Sequence, residues 1–274
     1  MEDNKPQPAS ANPYAASTVA QTGNNNFIPG GRAVPVGQGM AWIGHGWALF
    51  TQSPLMWIVS MVLAFVIFLA LNFVPLIGTL AANVMIGLLA GGLMLGAHAQ
   101  HGGREFAISD LFSGFNAPHM KPLLIVGAIY AASLFVLTLL AAGMIIAILG
   151  ASGATGAIMS GDTGAILGLI AGATIGSMLV LLIVMAIAVP IFMAYWFAPA
   201  LVALQGVAPI DALKASFSAC LKNFMPFLVY GLVFLVLFVV GSLPLGLGLL
   251  VVVPLMYTST YAAYRDVFLG DGGA

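Results

Sequence analysis

DTGAILGLIAGATIGSMLVLLIVMAIAVPIFMAYWFAPALVALQGVAPID, residues Asp162 to Asp211, decides the topology of this chain. No charged residue lies between its terminal aspartates, and the stretch is long enough for one membrane crossing or two. A helix needs about 20 apolar residues to cross the hydrocarbon core. Parity separates the two cases. A second crossing would put Lys214, Lys222 and Arg265 on the opposite side from Arg32, Arg104 and Lys121. With one crossing all six share a side, and the outer loops carry only Asp162. Lys and Arg gather on the cytoplasmic side of membrane proteins, so one crossing is expected. It runs roughly from Ser177 to Ala198, kinks near Pro190, and follows a Gly-rich helix or tilted extension.

The rest of the chain agrees. Of 274 residues, 61% are hydrophobic and 5% charged, against roughly 25% charged in soluble domains. Apolar runs at Leu55–Phe73, Ile77–Ala97, Pro122–Leu149, Phe224–Gly241 and Leu245–Tyr264 complete a set of six spans. Pro75 and Pro244 fall between paired runs, where they break helices in tight hairpins. Both termini are expected in the cytoplasm of a bacterial inner membrane. Trp42, Trp47 and Trp57, Tyr195 and Trp196, and Tyr257, Tyr261 and Tyr264 fall near that face, as an interfacial aromatic belt does. A net charge of −1 excludes nucleic acid as a partner. A single cysteine, Cys220, builds no disulfide framework.

The expected fold is all-α: a polytopic membrane protein with six transmembrane helices. Residues 1–33, rich in Pro, Asn, Gln and Ser, read as a disordered cytoplasmic tail. Residues 34–268 form a single transmembrane domain, and 269–274 a short cytoplasmic tail. Amphipathic interfacial helices precede spans one and five. Met40, Ile43, Trp47 and Phe50 form the first apolar stripe. Ile210, Leu213, Phe217, Leu221 and Phe224 form the second. A shift of 170 positions aligns Ile43 with Leu213, Ser53 with Asn223 and Trp57 with Phe227, giving a two-unit pseudo-repeat. A third surface helix is expected over Ser109–Phe115, with Ser109 as its N-cap.

Tyr195-Trp196-Phe197-Ala198-Pro199-Ala200-Leu201, then Pro209, Ala212-Leu213 and Ser216-Phe217, carry a family resemblance. The chain resembles uncharacterised six-span inner-membrane proteins of proteobacteria. More distantly it is similar to the membrane domain attached to some glycerophosphodiester phosphodiesterases. Coverage runs from about Val34 to Phe268, with Gln205-Gly206 where that pattern has an acidic residue. The resemblance implies a fold and no chemistry.

Candidate functional residues lie between spans two and three: His98, His101, Glu105 and Asp110. His98-x-x-His101 shares a helical face, and either carboxylate has the chemistry to complete a divalent-metal site. Metal sites demand closer agreement among ligands than this spacing gives. The four are therefore read as a functional surface, with no metal, cofactor or catalytic residue assigned. Gly164, Gly168, Gly172 and Gly176 recur every fourth residue, the pattern of close helix packing in lipid. Gly87 with Gly91, and Gly92 with Gly96, repeat it. Asn83 is expected to hydrogen-bond between helices. No phosphate loop, nucleophile elbow or zinc-protease motif occurs. These readings make the chain a non-enzymatic inner-membrane protein, serving membrane organisation or a membrane assembly. Its partners are the lipid bilayer and a membrane protein or second copy. The alternative is a channel or transporter for a small or lipid-like solute.

Overall fold

The computed structural model describes residues 26–74, 77–151, 156 and 159–271, and the regular elements among them are all helical. Helices α1 (Gln38–Phe50), α2 (Pro54–Asn72) and α3 (Ile77–His101) precede a 3₁₀ helix, Ile108–Phe115. Then come α4 (Met120–Ala151), α5 (Thr163–Trp196), α6 (Ala198–Gln205) and α7 (Pro209–Lys222). Helices α8 (Phe224–Ser242) and α9 (Leu249–Tyr264) follow, and a π turn, Arg265–Leu269, ends the chain's helical part. The expected breaker Pro75 and most of the proposed tail, residues 1–25, lie outside the described residues.

Among the described residues, 5 stretches are long and apolar enough to cross a bilayer. They are Pro54–Asn72, Ile77–His101, Met120–Ile148, Ala171–Gln205 and Phe224–Ser242. Their outward side chains are greasy: Leu181, Leu182, Leu232 and Leu235 are all more than half exposed. A soluble fold would bury such residues; hydrocarbon solvates them without cost. The last expected span, Leu245–Tyr264, is shorter as a helix. Positive φ at Leu245 and Gly246 makes a turn before Leu249, leaving 16 helical residues.

The decisive stretch opens with one long helix. The backbone of α5 runs unbroken for 34 residues through Pro190, about 51 Å at 1.5 Å per residue. That exceeds the roughly 30 Å hydrocarbon core, so the Gly-rich part is an extension of this helix, not a separate one. Asp162 starts it by accepting the Gly164 N–H at 2.9 Å. Ser216 of α7 holds its end: its hydroxyl accepts the Phe197 N–H at 2.9 Å and donates to the Met193 carbonyl at 2.7 Å.

Close packing centres on α3. A Cβ on Gly92 would lie 2.4 Å from the Leu111 carbonyl oxygen of the 3₁₀ helix. One on Gly127 of α4 would lie 2.2 Å from the Val84 carbonyl oxygen. The α5 glycines behave differently, and the expected packing seam is corrected there. Among the described residues, Gly168 and Gly172 have nothing within 4 Å, Gly164 has its own cap, Asp162, and Gly176 meets a neighbouring helix at Ile148.

Three smaller expectations are also revised. Asn83 donates to Thr79 of its own helix at 2.8 Å, not across helices. The 3₁₀ helix is capped from within: Asp110 Oδ2 accepts the Ala107 N–H at 2.9 Å, so Ser109 is not the cap. Trp42 and Trp57 are fully buried in protein, leaving Trp47, 49% exposed, as the member of that trio able to sit in an interface.

Candidate functional site

The short surface elements carry outward apolar side chains, and the arrangement is clearest in α7. Ala212, Ser216, Ala219 and Cys220 face the bundle. Ile210, Phe217, Leu221 and the following Phe224 are outward. Asp211 and Lys214 form a third, charged edge and pair at 3.8 Å. Small residues bring α7 against α5 while its large apolar side chains point away from protein. In α1, Gly39 and Gly46 lie against backbone of Pro226 and Ser259, with Met40 and Trp47 outward. Of the apolar stripes read from sequence, Met40 and Trp47, and Ile210, Phe217, Leu221 and Phe224, are thus outward, whereas Phe50 is buried and Ile43 and Leu213 pack partly against the core. Burial also pushes the Cys220 thiol up to about 12.

A polar strap joins the two ends of the chain. Arg32 donates from Nη2 to the Asp266 carboxylate and from Nε to the Asp266 carbonyl at 2.8 Å. The other Asp266 oxygen accepts the Trp42 indole N–H at 2.9 Å. Asn223 accepts the Val34 N–H and donates to the Arg32 carbonyl, both at 2.8 Å. Lys222 donates to the Gly30 and Gly31 carbonyls. Phe27 stacks on Phe268. The packed unit therefore begins before residue 34, and Leu269, 4% exposed, belongs to it as well.

The four residues proposed as a functional surface separate into two groups. His98 Nδ1 lies 2.9 Å from the Tyr261 hydroxyl, and Arg265 donates to His101 Nδ1 at 3.2 Å. Asp110 instead binds Arg104 at 2.7 Å, and Glu105 is exposed with only its backbone carbonyl engaged, by Arg104. Among the described residues no three His, Cys, Asp or Glu side chains are placed to hold a metal ion. His101 borders a cleft of about 240 Å³ with His45, Gln52, Tyr261, Arg265 and Asp271. Nearby, Gln100 accepts the Trp57 indole N–H and donates to the Leu49 carbonyl, each at 2.9 Å. Burial holds the His119 imidazole below its ordinary value.

Sequence reasoning missed Asp266, Arg32 and Asn223 as a connected set. The one available signal was the alignment of Asn223 with Ser53, both N-caps of a long apolar helix. It also missed a second cavity, of about 190 Å³, between α3, α4, α5, α6 and α9. Tyr195 and Trp196 line it, and the Tyr195 hydroxyl and Trp196 indole N–H are buried without a partner. Each such orphan costs about 1–3 kcal/mol when nothing satisfies it.

Long apolar helices with lipid-facing side chains and a polar, strapped end define a multi-pass α-helical membrane protein. Comparison with known proteins narrows this. The chain is 30% identical over 250 residues to a probable inner membrane protein of Burkholderia thailandensis, covering 84% of this chain and 90% of that protein. It belongs to the family of that protein and is an integral inner-membrane protein. No family model and no solved structure matches it.

Proposed function

We propose that this protein is a non-enzymatic organiser of the inner membrane that acts through the surface elements at its polar end. The three-faced build of α7 carries this reading. Small residues bind it to the bundle, charges face water, and Ile210, Phe217 and Leu221 are free to enter lipid or meet a partner membrane protein or second copy. Backbone-to-backbone contact at Gly92 and Gly127 favours a packed interior, and so this role over the channel or transporter reading.

The finer topology belongs to the same proposal. Helix α9, lengthened on its outer side by the apolar turn residues 243–248, makes a sixth crossing. Both termini then lie in the cytoplasm, with Lys214, Lys222 and Arg265 on the same side as Arg32 and Arg104. Helices α2 and α8 are 19 residues each, offset by 170 positions at both ends, which supports the two-unit repeat. The distant likeness to the membrane domain of glycerophosphodiester phosphodiesterases rests on the motif from Tyr195 to Phe217.

The test combines deletion with complementation. Loss of the protein should give an envelope defect, restored by the native chain and not by Phe217→Glu/Leu221→Glu at equal membrane abundance. Full rescue by that variant, or a deletion without envelope defect and no specific partner or lipid on co-purification, rejects the role. Selective solute flux in liposomes would put the transporter reading in its place.

A further inference from the structure

We propose that the cleft bordered by His45, His101 and Arg265 is a binding site for a phosphate group, and that the chain's own Asp271 carboxylate holds that place in this structure. The site is independent of the organising role.

Arg265 sets the charge of the cleft, and that charge selects an anion. Its side chain is 14% exposed, reachable from outside yet largely out of water. A cation so placed needs a counter-charge. Asp271 supplies it: its Oδ2 lies 3.4 Å from Arg265 Nη2, and it is the sole acid among the described residues lining the cleft. Charge-assisted hydrogen bonds between such groups close to about 2.7–2.9 Å, so the pair is loose. The Asp271 side chain is itself 32% exposed, and its backbone N–H reaches the Arg265 carbonyl only at 3.4 Å. The carboxylate marks an anion position that it fills poorly.

The other donors border the cleft from separate elements. His45 belongs to α1, Gln52 follows α1, and His101 ends α3. A guanidinium only donates, so His101 Nδ1 accepts from Arg265 at 3.2 Å and the proton of the neutral ring sits on Nε2. That N–H, the His45 imidazole and the Gln52 amide have no partner among the described residues, and all three residues are exposed. A carboxylate offers two oxygens in one plane. A tetrahedral phosphate offers oxygens in several directions, which suits donors set on α1, the turn after it, α3 and the π turn. Size and depth agree. About 240 Å³ is below the roughly 300–1,000 Å³ of sites that enclose a small molecule, so the cleft takes one group and leaves the remainder of its molecule outside. Ala48, Leu49 and Ala262 make its apolar wall. The outward Trp47, beside Ala48, sets it near the membrane interface, the level of lipid phosphates. A lipid headgroup and a free phosphate present the same oxygens.

The experiment titrates delipidated full-length protein in detergent, by calorimetry, with inorganic phosphate, a short-chain phosphatidylglycerol and a diacylglycerol of the same chains. At least one phosphate-bearing probe should bind about tenfold or more tightly than the diacylglycerol, the worth of a hydrogen bond to a charged group. Tighter binding of phosphatidylglycerol than of inorganic phosphate makes the source a lipid headgroup, the reverse makes it free phosphate, and either supports the site. Arg265→Gln should abolish the preference for phosphate. Asp271→Asn removes the competing carboxylate and should tighten phosphate binding about two- to fivefold, the worth of a partly exposed ion pair. That variant alters an exposed side chain, so it keeps the proposal testable should Arg265→Gln fail to fold. Equal binding of all three probes to the native protein overturns the proposal. Unchanged or weaker phosphate binding by Asp271→Asn overturns it too, as does a preference that survives Arg265→Gln.

Discussion

Gly92 and Gly143 should respond in opposite directions to the same added methyl group. Both lie inside long helices, so Gly→Ala at either gains up to about 1 kcal/mol of helix propensity. At Gly143 the new Cβ meets nothing within 4 Å, and that gain is the whole effect. At Gly92 it would stand 2.4 Å from the Leu111 oxygen and 2.7 Å from the Asp110 oxygen, where ordinary contact begins at 3.4 Å. The obstacle is backbone, and no rotamer change relieves it. Helix α3 and the 3₁₀ helix must part by about 1 Å, a gap that forfeits a quarter to a half of the dispersion energy of each affected atom pair. Overpacking of this kind costs about 1–3 kcal/mol or more. The net expectation is a loss of about 1–2 kcal/mol for Gly92→Ala and a gain of up to about 1 kcal/mol for Gly143→Ala. At roughly 2–4 °C per kcal/mol for a chain of this size, the two variants should melt at least about 2 °C apart in one detergent. Equal melting temperatures, or a stabilised Gly92→Ala, would refute the claim that backbone contact closes this interface.

Gly168→Leu should not lower monomer stability in detergent, because its Cβ meets none of the described residues within 4 Å. A lowered melting temperature at high dilution would show that the seam packs within the monomer after all. Arg32→Ala strips the buried Asp266 of its ionic partner and should cost about 1–3 kcal/mol, less than a fully buried pair because Arg32 is 40% exposed. Hydrogen exchange should quicken at residues 27–34, and unchanged protection there would contradict the strap. With its thiol pushed up to about 12, Cys220 is roughly one ten-thousandth thiolate at pH 8. A maleimide should spare it in the folded protein and label it in denaturant. Rapid labelling of folded protein would place it on an accessible face.

What the sequence revealed follows from what lipid does to hydrophobic pattern. Long helices were legible because a bilayer imposes a minimum apolar length, and α2, α3, α4 and α8 meet it without ambiguity. The orientation of each helix about its axis was not. In water an apolar stripe marks the buried face; here Ile210, Phe217 and Leu221 mark the outward one, while Ala212, Ser216 and Ala219 make the contact. Small residues are the better guide, but only where a neighbour is present. The spacing that packs Gly92 and Gly96 against the 3₁₀ helix leaves Gly168 and Gly172 uncovered. The separation of the candidate residues into two groups was illegible for a related reason. His98, His101, Glu105 and Asp110 are close in sequence, yet Arg104 recruits Asp110 locally while Tyr261 and Arg265 draw the histidines to the far end of the chain.

The contacts between elements also explain why the two ends of the chain are strapped together. The 3₁₀ helix packs on α3 and α2, the hairpin that precedes it, and α7 packs on α5 and α4, the hairpin that precedes it. Among the described residues no hairpin precedes α1. It packs instead on α9 and α8, the last hairpin of the chain. Each surface element thus covers the hairpin before it in a cyclic order, and α1 closes the cycle. That closure is a non-local contact, made only after the whole chain exists, and its loop entropy is correspondingly large. The buried polar groups sit at this junction: Asp266 joins Arg32 and Trp42, and Asn223 joins Val34 and Arg32. Apolar packing in lipid discriminates poorly among alternative partners, because hydrocarbon satisfies an apolar face as well as protein does. A directional set of hydrogen bonds does discriminate. The polar strap is placed at the one junction of the cycle that chain connectivity leaves unspecified.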